Sequence, residues 1–577
     1  MPADAAKPGN LRAALAEGCA AVAAWAEVLD RINVFPVPDG DTGRNLVLSL
    51  APLRDVAASD ALASERLLFS ARGNSGNIAC AFLRALLDGA AGADLAERCV
   101  VGAARARRAV ADPQPGTMLT VLDALAEAAR SGLGAGNVSA LLGRLVQVVR
   151  ETTGQLASLR EAQVVDSGAL GMLVFLERAL RAYHGLPEAS ESLAAGFRSL
   201  VRFDRCVVGA SPEHGFCIDA VLRAREGAPP PDQRLCGLGS EVVALRDGAL
   251  WKIHLHADDS RAARQALGEL GEVLAWSWDD LQAQTASSPR VVGENEVHIV
   301  TDGAASLSRR QADALGVSLL DSLVNLGECS LPETRLDPDD VYRAMRRGVR
   351  ASTAQTSIHE RHMHYERLAA QWQSVLYLCV GSVYTGNHAV ASAWRSAQAA
   401  GERFFVLDSG LASGKLAVVV RAVALAARNG ADVAHLTALA KAALQRAEEY
   451  IFVERLEYLA RGGRLSKTGA WFGDALGLAP VVSPFPDGAR RVALLRKPGD
   501  RLAYARKQVE RAFAAGSRRG HILVEHSDNR DWVECAVLPH LREIAPLAEV
   551  ELGPLSLTTG VHTGPGTWAV AMLPEAG

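Results

Sequence analysis

The stretch FPVPDGDTGRNL, residues 35–46, joins two helix-like patterns and places two carboxylates, Asp39 and Asp41, one residue apart. Residues 11–33 before it form an Ala-rich pattern with apolar positions near the 3.6-residue period of a helix. Prolines end that helix, and glycines allow a tight turn. Two like charges this close favour a cation between them, and Mg²⁺ prefers such hard oxygen ligands. The alternative is an ordinary turn in which Asp and Gly only make the bend.

Length and composition indicate a folded protein with several domains. The 577 residues are 49% hydrophobic with a formal net charge of −4, which gives no bias toward nucleic acid as a partner. The nine cysteines lack regular spacing, which argues against a disulfide framework. No charged-then-apolar leader opens the chain, and Arg421 interrupts its most apolar run, residues 416–427. These features predict a cytoplasmic protein without stable membrane insertion.

The periodicity divides the chain into three segments. Residues 1–200 are predicted to form successive helices, and residues 201–288 contain strand-like runs and the loop AREGAPPPDQ. After the linker TASSPRVVGENE, residues 292–577 alternate strands with helices, which favours parallel α/β layers. We therefore predict a multidomain chain with an all-α first domain, a small α+β middle domain and a C-terminal α/β domain.

Further motifs accompany the Asp pair in a fixed order. Asn33 precedes it, and SARGNSGNI (70–78), QPGTMLTVLDAL (114–125) and VVDSGALG (164–171) follow. The set resembles the ATP-binding DhaL-type domain of dihydroxyacetone kinases and of the ATP-binding subunit of bacterial fatty acid kinase. The FPVPDGDTG motif is similar to that of the fatty acid kinase branch. No Walker A loop competes for the nucleotide, since the lysine of GGRLSKTG (462–469) follows a serine rather than a glycine.

This resemblance implies a barrel of antiparallel helices that binds ATP among the loops at one end. It implies that Asp39 and Asp41 hold the Mg²⁺ ion that bridges the phosphates and so take part in catalysis. Arg44 stands where the family usually has threonine, and the sequence leaves open whether it pairs with phosphate or points outward. The residues implied to surround the ion and the nucleotide are Asn33, Thr42, Asn45, Asn74, Ser75, Gly76, Thr117 and Met118.

A metal site is predicted in the second segment. In ALWKIHLHADD, strand alternation places His254 and His256 on one face and Ile253 and Leu255 on the other. With Cys217 of HGFCIDAV, the two histidines supply a ligand set suited to Zn²⁺ with an open fourth position. The stretch resembles the middle domain of the fatty acid kinase subunit, whose zinc site maps by motif onto these three residues. The alternative is a buried cysteine beside two surface histidines.

The third segment carries the motifs IVTDGAAS (299–306), STAQTS (352–357), LEYLARGGRLSK (456–467) and GVHTGPG (560–566). Nearly all of residues 297–574 resembles the DegV family, which includes the fatty-acid-binding subunit of the same kinase. Independently of this resemblance, the helix predicted to begin after Thr385-Gly386 offers backbone donors to an anion. The resemblance implies a lipid carboxylate held by three side chains, Thr353, Thr385 and His562, with Arg464 nearby.

Several positions depart from the DegV motifs. The family's T-D-S, T-S-Q-P-S and S-G-T are replaced by Thr301-Asp302-Gly303, Thr353-Ala354-Gln355-Thr356-Ser357 and Thr385-Gly386-Asn387. The hydroxyl at 385 is kept, whereas an amide stands at 387, so we expect the head-group geometry to differ. The alternative makes Thr385 a plain helix cap and GVHTGPG an ordinary turn on which His562 is exposed.

Joined in one chain, the two resemblances predict a fatty acid kinase that transfers the γ-phosphoryl group of ATP to a bound fatty acid and yields an acyl phosphate. A carboxylate is already a nucleophile, so catalysis would depend on positioning and on Mg²⁺. We expect a homodimer, and an acyltransferase that uses acyl phosphates as a partner. Two alternatives stay open: a kinase of a small polyol such as dihydroxyacetone, and a lipid-binding or regulatory protein with a silent kinase domain.

Overall fold

The computed structural model describes residues 10–89, 93–187, 193–201, 215–225, 235–282, 297–327, 329–461, 479–496, 498–514 and 518–575. The chain divides into two compact units, residues 1–291 and 292–577. The linker of residues 285–296, the candidate Arg464 and most of the predicted loop AREGAPPPDQ fall outside the described ranges. Within those ranges, no helix is both long and apolar enough to cross a membrane.

The first unit begins with ten helices in its described part, whose small apolar residues pack against one another as the helical period predicts. They are α1 (Leu11–Arg31), α2 (Thr42–Leu50), α3 (Asp60–Ser70), α4 (Gly73–Leu87), α5 (Leu95–Ala109), α6 (Met118–Ala129), α7 (Ala135–Gln155), α8 (Ala157–Ala162), α9 (Ser167–His184) and α10 (Leu193–Phe197). Packing follows the order α1, α2, α4, α5, α6, α7, α9, and α9 packs again on α1. This closed ring confirms the predicted helical barrel.

A four-stranded antiparallel sheet completes the first unit. Its elements are β1 (Phe216–Ala224), β2 (Ser240–Asp247), β3 (Leu250–Ala257), α11 (Ser260–Leu270) and β4 (Gly271–Asp280), with strand order β2-β3-β1-β4. One face of the sheet, with Ile218 and Ile253, forms an apolar core with Leu267 of α11. Alternation places polar side chains on the other face, and these are buried too: Cys217, Asp219, Lys252, His254 and His256.

This sheet is bonded directly to the helices of its own unit. Ala111 N donates to Val242 O over 3.1 Å. Arg84 of α4 donates to Asp247 Oδ2 of β2 over 2.5 Å. The polar face of the sheet therefore lies against the helical barrel rather than against water.

The second unit contains a four-stranded parallel sheet of order β11-β10-β5-β6. Two helices, α14 and α15, cover one face of it, and α16 and α17 lie on the other. The alternation of strands and helices in the sequence correctly predicted these parallel layers. The elements up to this point are β5 (Val297–Asp302), α12 (Arg309–Leu315), β6 (Val317–Leu320), β7 (Leu323–Leu326), β8 (Cys329–Pro332), α13 (Pro338–Arg346), β9 (Ala351–Ala354), α14 (Ile358–Gln371), β10 (Ser374–Cys379), α15 (Asn387–Ala397), β11 (Phe404–Asp408), α16 (Ser413–Arg428) and α17 (Val433–Arg446).

A six-stranded sheet of order β14-β13-β12-β17-β15-β16 packs on the far side of α16, and only its β15–β16 pair is parallel. Its mainly antiparallel pairing was not predicted from the sequence. A small antiparallel sheet, β8-β7-β9, lies beside α13 and α22. The remaining elements are β12 (Glu448–Phe452), α18 (Leu456–Arg461), β13 (Ala479–Phe485), β14 (Gly488–Leu495), α19 (Pro498–Ala512), β15 (Gly520–His526), α20 (Arg530–Trp532), a π-helix (Val533–Val537), α21 (Leu538–Ile544), β16 (Ala548–Pro554), α22 (Leu557–Thr563) and β17 (Trp568–Pro574).

Candidate functional site

The two predicted magnesium ligands lie in the turn between α1 and α2. Asn33 Nδ2 donates to Asp39 Oδ1 over 2.5 Å. Burial and the charge of Asp41 raise the pKa of Asp39 well above its usual value. Burial raises the pKa of Asp41 to about 6, although the positive charge of Arg44 opposes this shift. A dication between the carboxylates would offset the repulsion and lower both pKa values.

Hydroxyl and amide groups connect this turn to the start of α9. Thr42 Oγ1 lies 2.9 Å from Ser167 Oγ, and Ser167 Oγ donates to Asn33 Oδ1 over 3.4 Å. Asn45 is buried on α2, and its backbone N–H donates to Asp41 O over 2.8 Å. The structure thus brings the predicted residues around the Asp pair together and adds Ser167, which the sequence analysis had not singled out.

Three of the sequence motifs meet at Gly168. A Cβ atom on Gly168 would lie 3.1 Å from Ser75 Oγ, 3.3 Å from Asp166 Oδ1 and 3.5 Å from Met118 Cε. Asp166 accepts from Ala169 N over 2.7 Å and from the backbone of Met118. Burial raises the pKa of Asp166 to about 7. Sequence reasoning missed Asp166, although an Asp directly before a helix is a usual capping signal.

The other predicted nucleotide contacts have partners within the protein. Asn74 Nδ2 donates to Glu241 Oε2 over 3.1 Å, and the Thr117 hydroxyl donates to Gln114 O over 3.0 Å. A Cβ atom on Gly76 would lie 2.1 Å from Ser49 Oγ, so close helix packing requires the glycine. Contact of Asn74 and Gly76 with phosphate, and of Thr117 with the nucleotide, stays a prediction.

The direction of the Arg44 side chain answers a question that the sequence left open. Its guanidinium lies 3.4 Å from Asp279 Oδ2 on β4, and its backbone N–H donates to Asp30 Oδ1 over 3.0 Å. Arg44 therefore links the Asp-bearing turn to the four-stranded sheet.

The predicted zinc ligands converge. The ligand atoms of Cys217, His254 and His256 all lie within 4.8 Å of one another, and all three side chains are buried. The alternative with two surface histidines is therefore wrong. His254 Nε2 cannot be assigned a hydrogen-bond partner among the described residues, nor can His256 Nδ1. Burial and His254 lower the pKa of His256 to about 3, so its imidazole is neutral at pH 7, as metal binding requires.

The two candidate metal sites are electrostatic neighbours. Burial first, and then the charges of Asp219, Asp41 and Asp39, raise the pKa of the Cys217 thiol well above its usual value. A bound dication reverses this effect, because thiolate is the form that coordinates metal. Two imidazoles and one thiolate, with a position left open, are a donor set that fits Zn²⁺.

In the second unit, Thr353 and His562 meet although 209 positions separate them. Thr353 Oγ1 lies 3.0 Å from His562 Nε2. Gln355, two residues after Thr353, reaches the turn before α15, where a Cβ atom on Gly386 would lie 3.5 Å from its side-chain amide. His562 is half-buried in the last turn of α22, so the alternative of an exposed histidine on an ordinary turn is wrong.

Thr385 and Asn387 lie at the start of α15 and differ in their contacts. Thr385 Oγ1 accepts from Asn387 N over 3.1 Å, which is a capping contact, and the hydroxyl keeps its own proton for donation. The Asn387 amide donates to Asp302 Oδ1 over 2.8 Å. Asp302 also accepts from Tyr377 OH over 2.7 Å and from Arg361 over 3.3 Å. The amide that replaces the family's hydroxyl therefore donates a hydrogen bond to this buried carboxylate.

Packing explains the departure at Gly303. A Cβ atom there would lie 2.7 Å from Thr334 Cγ2 and 2.9 Å from Glu333 Oε1. A serine at this position would have to displace one of these neighbours, so the glycine belongs to the packing of this chain.

Comparison with known families assigns both ends of the chain. Residues 36–181 match the model of the DAK2 domain, and residues 296–575 match the model described as an uncharacterised protein of the DegV family. The chain therefore joins a DAK2 domain, the DhaL-type domain of the sequence analysis, to a DegV-family domain.

The match to each curated relative covers about half of this chain. An uncharacterized protein of Staphylococcus epidermidis is 28% identical over 327 residues, 49% of this chain and 59% of its own length. Protein YloV of Bacillus subtilis is 28% identical over 293 residues, 45% of this chain and 53% of its own length. This chain thus spans less than two thirds of either relative. A DegV domain-containing protein of Streptomyces coelicolor is 28% identical over 279 residues, 48% of this chain and 98% of its own length.

Among solved structures, DegV, a fatty acid binding protein from Bacillus subtilis, aligns with 48% of this chain and 99% of its own at 19% identity and a TM-score of 0.44. A fatty-acid-binding DegV family protein from Thermus thermophilus aligns over the same shares at 23% identity and a TM-score of 0.43.

Proposed function

We propose that this chain is a fatty acid kinase, in which the DAK2 domain transfers the γ-phosphoryl group of ATP to a fatty acid held by the DegV domain. The observation that carries the proposal is the presence in one chain of two complementary sites. Asp39 and Asp41 form a carboxylate pair suited to Mg²⁺, and Thr353 and His562 form a hydroxyl–imidazole pair suited to a carboxylate.

The protein takes little part in the covalent chemistry of this reaction. A fatty acid oxygen attacks the γ-phosphorus, the bond to the β–γ bridging oxygen breaks, and ADP leaves with that electron pair. The acceptor is ionised at neutral pH, so no general base is needed. When bound, Mg²⁺ supplies the charge that offsets the phosphates. The work of the chain is then to hold Asp39 through Asn33 and to orient the lipid carboxylate.

ATP consumption with a fatty acid, compared with dihydroxyacetone, tests the proposal directly. Turnover that depends on fatty acid, with acyl phosphate trapped as a hydroxamate, would support it. Turnover with dihydroxyacetone alone would transfer the assignment to a polyol kinase. No ATP turnover with either acceptor would leave the DegV domain as a lipid carrier beside a silent DAK2 domain.

His562→Ala is expected to weaken fatty acid binding about 10- to 100-fold, because a hydrogen bond to a charged group contributes about 1.5–3 kcal/mol. Displacement of a fluorescent fatty acid measures the change, and mass spectrometry of co-purified lipid provides a second readout. His435→Ala is the matched control, because His435 is exposed on α17. Unchanged affinity in His562→Ala would remove this histidine from the head-group site.

We further propose that Cys217, His254 and His256 hold Zn²⁺. The purified protein should then contain about one zinc per chain, as one three-ligand site implies. His256→Ala should lose most of it, whereas His435→Ala should keep it. Elemental analysis of the folded wild-type protein decides the matter, and a zinc-free preparation that cannot be reloaded would contradict the assignment.

A further inference from the structure

One buried carboxylate, Asp219, connects β1 to the first turn of α4. Its Oδ2 accepts from Gly73 N over 3.0 Å, and its Oδ1 accepts from Asn77 Nδ2 over 2.9 Å. Asn77 also donates to Gly73 O over 2.8 Å, so three bonds close the turn around Asp219. Gly73 and Asn77 belong to SARGNSGNI, the motif predicted to contact phosphate.

On its other side, Asp219 contacts the candidate zinc site. Lys252 Nζ lies 3.0 Å from Asp219 Oδ1, and His254 Nδ1 lies 3.5 Å from Asp219 Oδ2. Asp219 therefore lies between the candidate zinc ligand His254 and the first turn of α4.

The Asp219 carboxylate lies at the Nδ1 edge of the His254 ring. A carboxylate against one ring nitrogen orients the imidazole, an arrangement common around zinc-bound histidines. Neither ring nitrogen of His254 has an assigned hydrogen-bond partner within the described part of the chain, so the approach of Nδ1 to Asp219 is an electrostatic contact.

The turn that Asp219 holds has little freedom to move. Gly73 has φ +59°, and a Cβ atom on it would lie 2.2 Å from Asn45 Nδ2. Asn45 in turn donates its backbone N–H to Asp41 O. A continuous path of close contacts therefore runs from His254 through Asp219, Gly73 and Asn45 to Asp41.

From this arrangement we infer that Asp219 is a positioning residue that couples metal binding at Cys217, His254 and His256 to nucleotide binding at the α4 turn. The inference rests on the proposed function of both sites. A close-packed interior transmits a shift of one buried group to its neighbours, so Asp219 cannot reorient for the metal without moving the Gly73 turn. Coupling is reciprocal: whatever factor zinc adds to the affinity for Mg·ADP, Mg·ADP adds to the affinity for zinc.

The test compares Mg·ADP binding to the full chain with and without zinc by isothermal titration calorimetry, with zinc content measured on each sample. Wild-type protein should bind Mg·ADP more tightly when zinc-loaded, by a factor in the range of roughly 5 to 150 that is usual for such coupling. In Asp219→Asn the two affinities should become equal. Asp219→Glu, which keeps the charge, should restore part of the difference.

Asp247→Asn is the matched control. Asp247 also joins the sheet to α4, through Arg84, but its bond is made far along the helix from Gly73. This variant should keep the coupling of the wild type. Asn77→Ala removes one of the two bonds from α4 to Asp219 and leaves the bond from Gly73 N, so it should retain zinc while weakening the coupling, and it serves if Asp219→Asn fails to fold.

Two results would overturn the inference alone: a wild type that binds zinc and Mg·ADP with no effect of one on the other, or an Asp219→Asn protein with unchanged coupling. A wild type that binds no zinc would overturn it together with the zinc assignment. A wild type that binds zinc but never Mg·ADP would overturn it together with the kinase proposal. These outcomes are distinguishable in one set of titrations.

Discussion

Asp41→Asn is expected to abolish ATP turnover while the protein keeps its fold and its lipid binding. The substitution preserves the shape of the side chain but removes one of two proposed Mg²⁺ ligands and its charge. We expect kcat to fall by at least about a hundredfold, the scale of losing one preorganised electrostatic contact. Fatty-acid-dependent ADP release measures turnover, and displacement of a fluorescent fatty acid measures lipid binding.

The stability of this variant separates a functional role from a structural one. Burial and the charge of Asp41 raise the pKa of Asp39, so holding both carboxylates ionised in this turn costs folding free energy. Removing one charge should leave the unfolding temperature without ligand unchanged or higher, as at many functional sites. Asp123→Asn is the control, because Asp123 is half-buried on α6, away from the Asp39–Asp41 turn in sequence, and pairs with Arg107. Wild-type turnover in Asp41→Asn would refute the magnesium assignment.

Cutting the chain between residues 290 and 291 is expected to make turnover depend on protein concentration. In the intact chain, a tether can raise the effective concentration of the lipid-bearing domain to about millimolar for a short flexible linker. Turnover per molecule should therefore stay constant on dilution. For the separate fragments, below their Kd, it should fall about tenfold for each tenfold dilution. An assay of both samples across the same dilution series makes the comparison.

Mixing Asp41→Asn and His562→Ala chains, at a fatty acid concentration too low to load the second variant, shows which kinase domain acts on which lipid-binding domain. If Asp41→Asn and His562→Ala chains restore activity together, one chain phosphorylates the lipid of another, as in the expected homodimer. If the mixture stays inactive, transfer occurs within one chain. An intact chain that loses rate on dilution as steeply as the fragments would show that the fusion does not deliver lipid internally, and the DegV domain would then serve separate partners.

The sequence predicted what depends on short-range periodicity. The alternation of β3 alone places His254 and His256 on one face, and the structure confirms it because a strand repeats every two residues. The carboxylate pair of Asp39 and Asp41 likewise follows from one turn. The meeting of Thr353 with His562 was predicted only through the DegV resemblance, since no local pattern relates positions so far apart.

The partners of buried polar groups could not be predicted in this way. Asn387 was expected to alter the head-group site, yet its amide donates a hydrogen bond to Asp302. Arg44 pairs with Asp279, which lies in a different segment of the sequence. Asp219 was not singled out because a lone acid on a strand carries no signal of its role. A buried hydrogen bond depends on which surfaces tertiary packing brings together, and local sequence does not encode that choice.

The bonds between the four-stranded sheet and the helices also limit where a gene that encodes this chain can be split. A gene product that ended at residue 200 would lose the bonds from Gly73 N and the Asn77 amide to the Asp219 carboxylate, and a hydrogen bond to a charged group contributes about 1.5–3 kcal/mol. Arg84 would also lose Asp247. Fission, fusion and exchange between genomes are therefore expected to preserve residues 1–291 as a single inherited piece. A survey of gene boundaries among relatives would find few that separate the helices from the sheet.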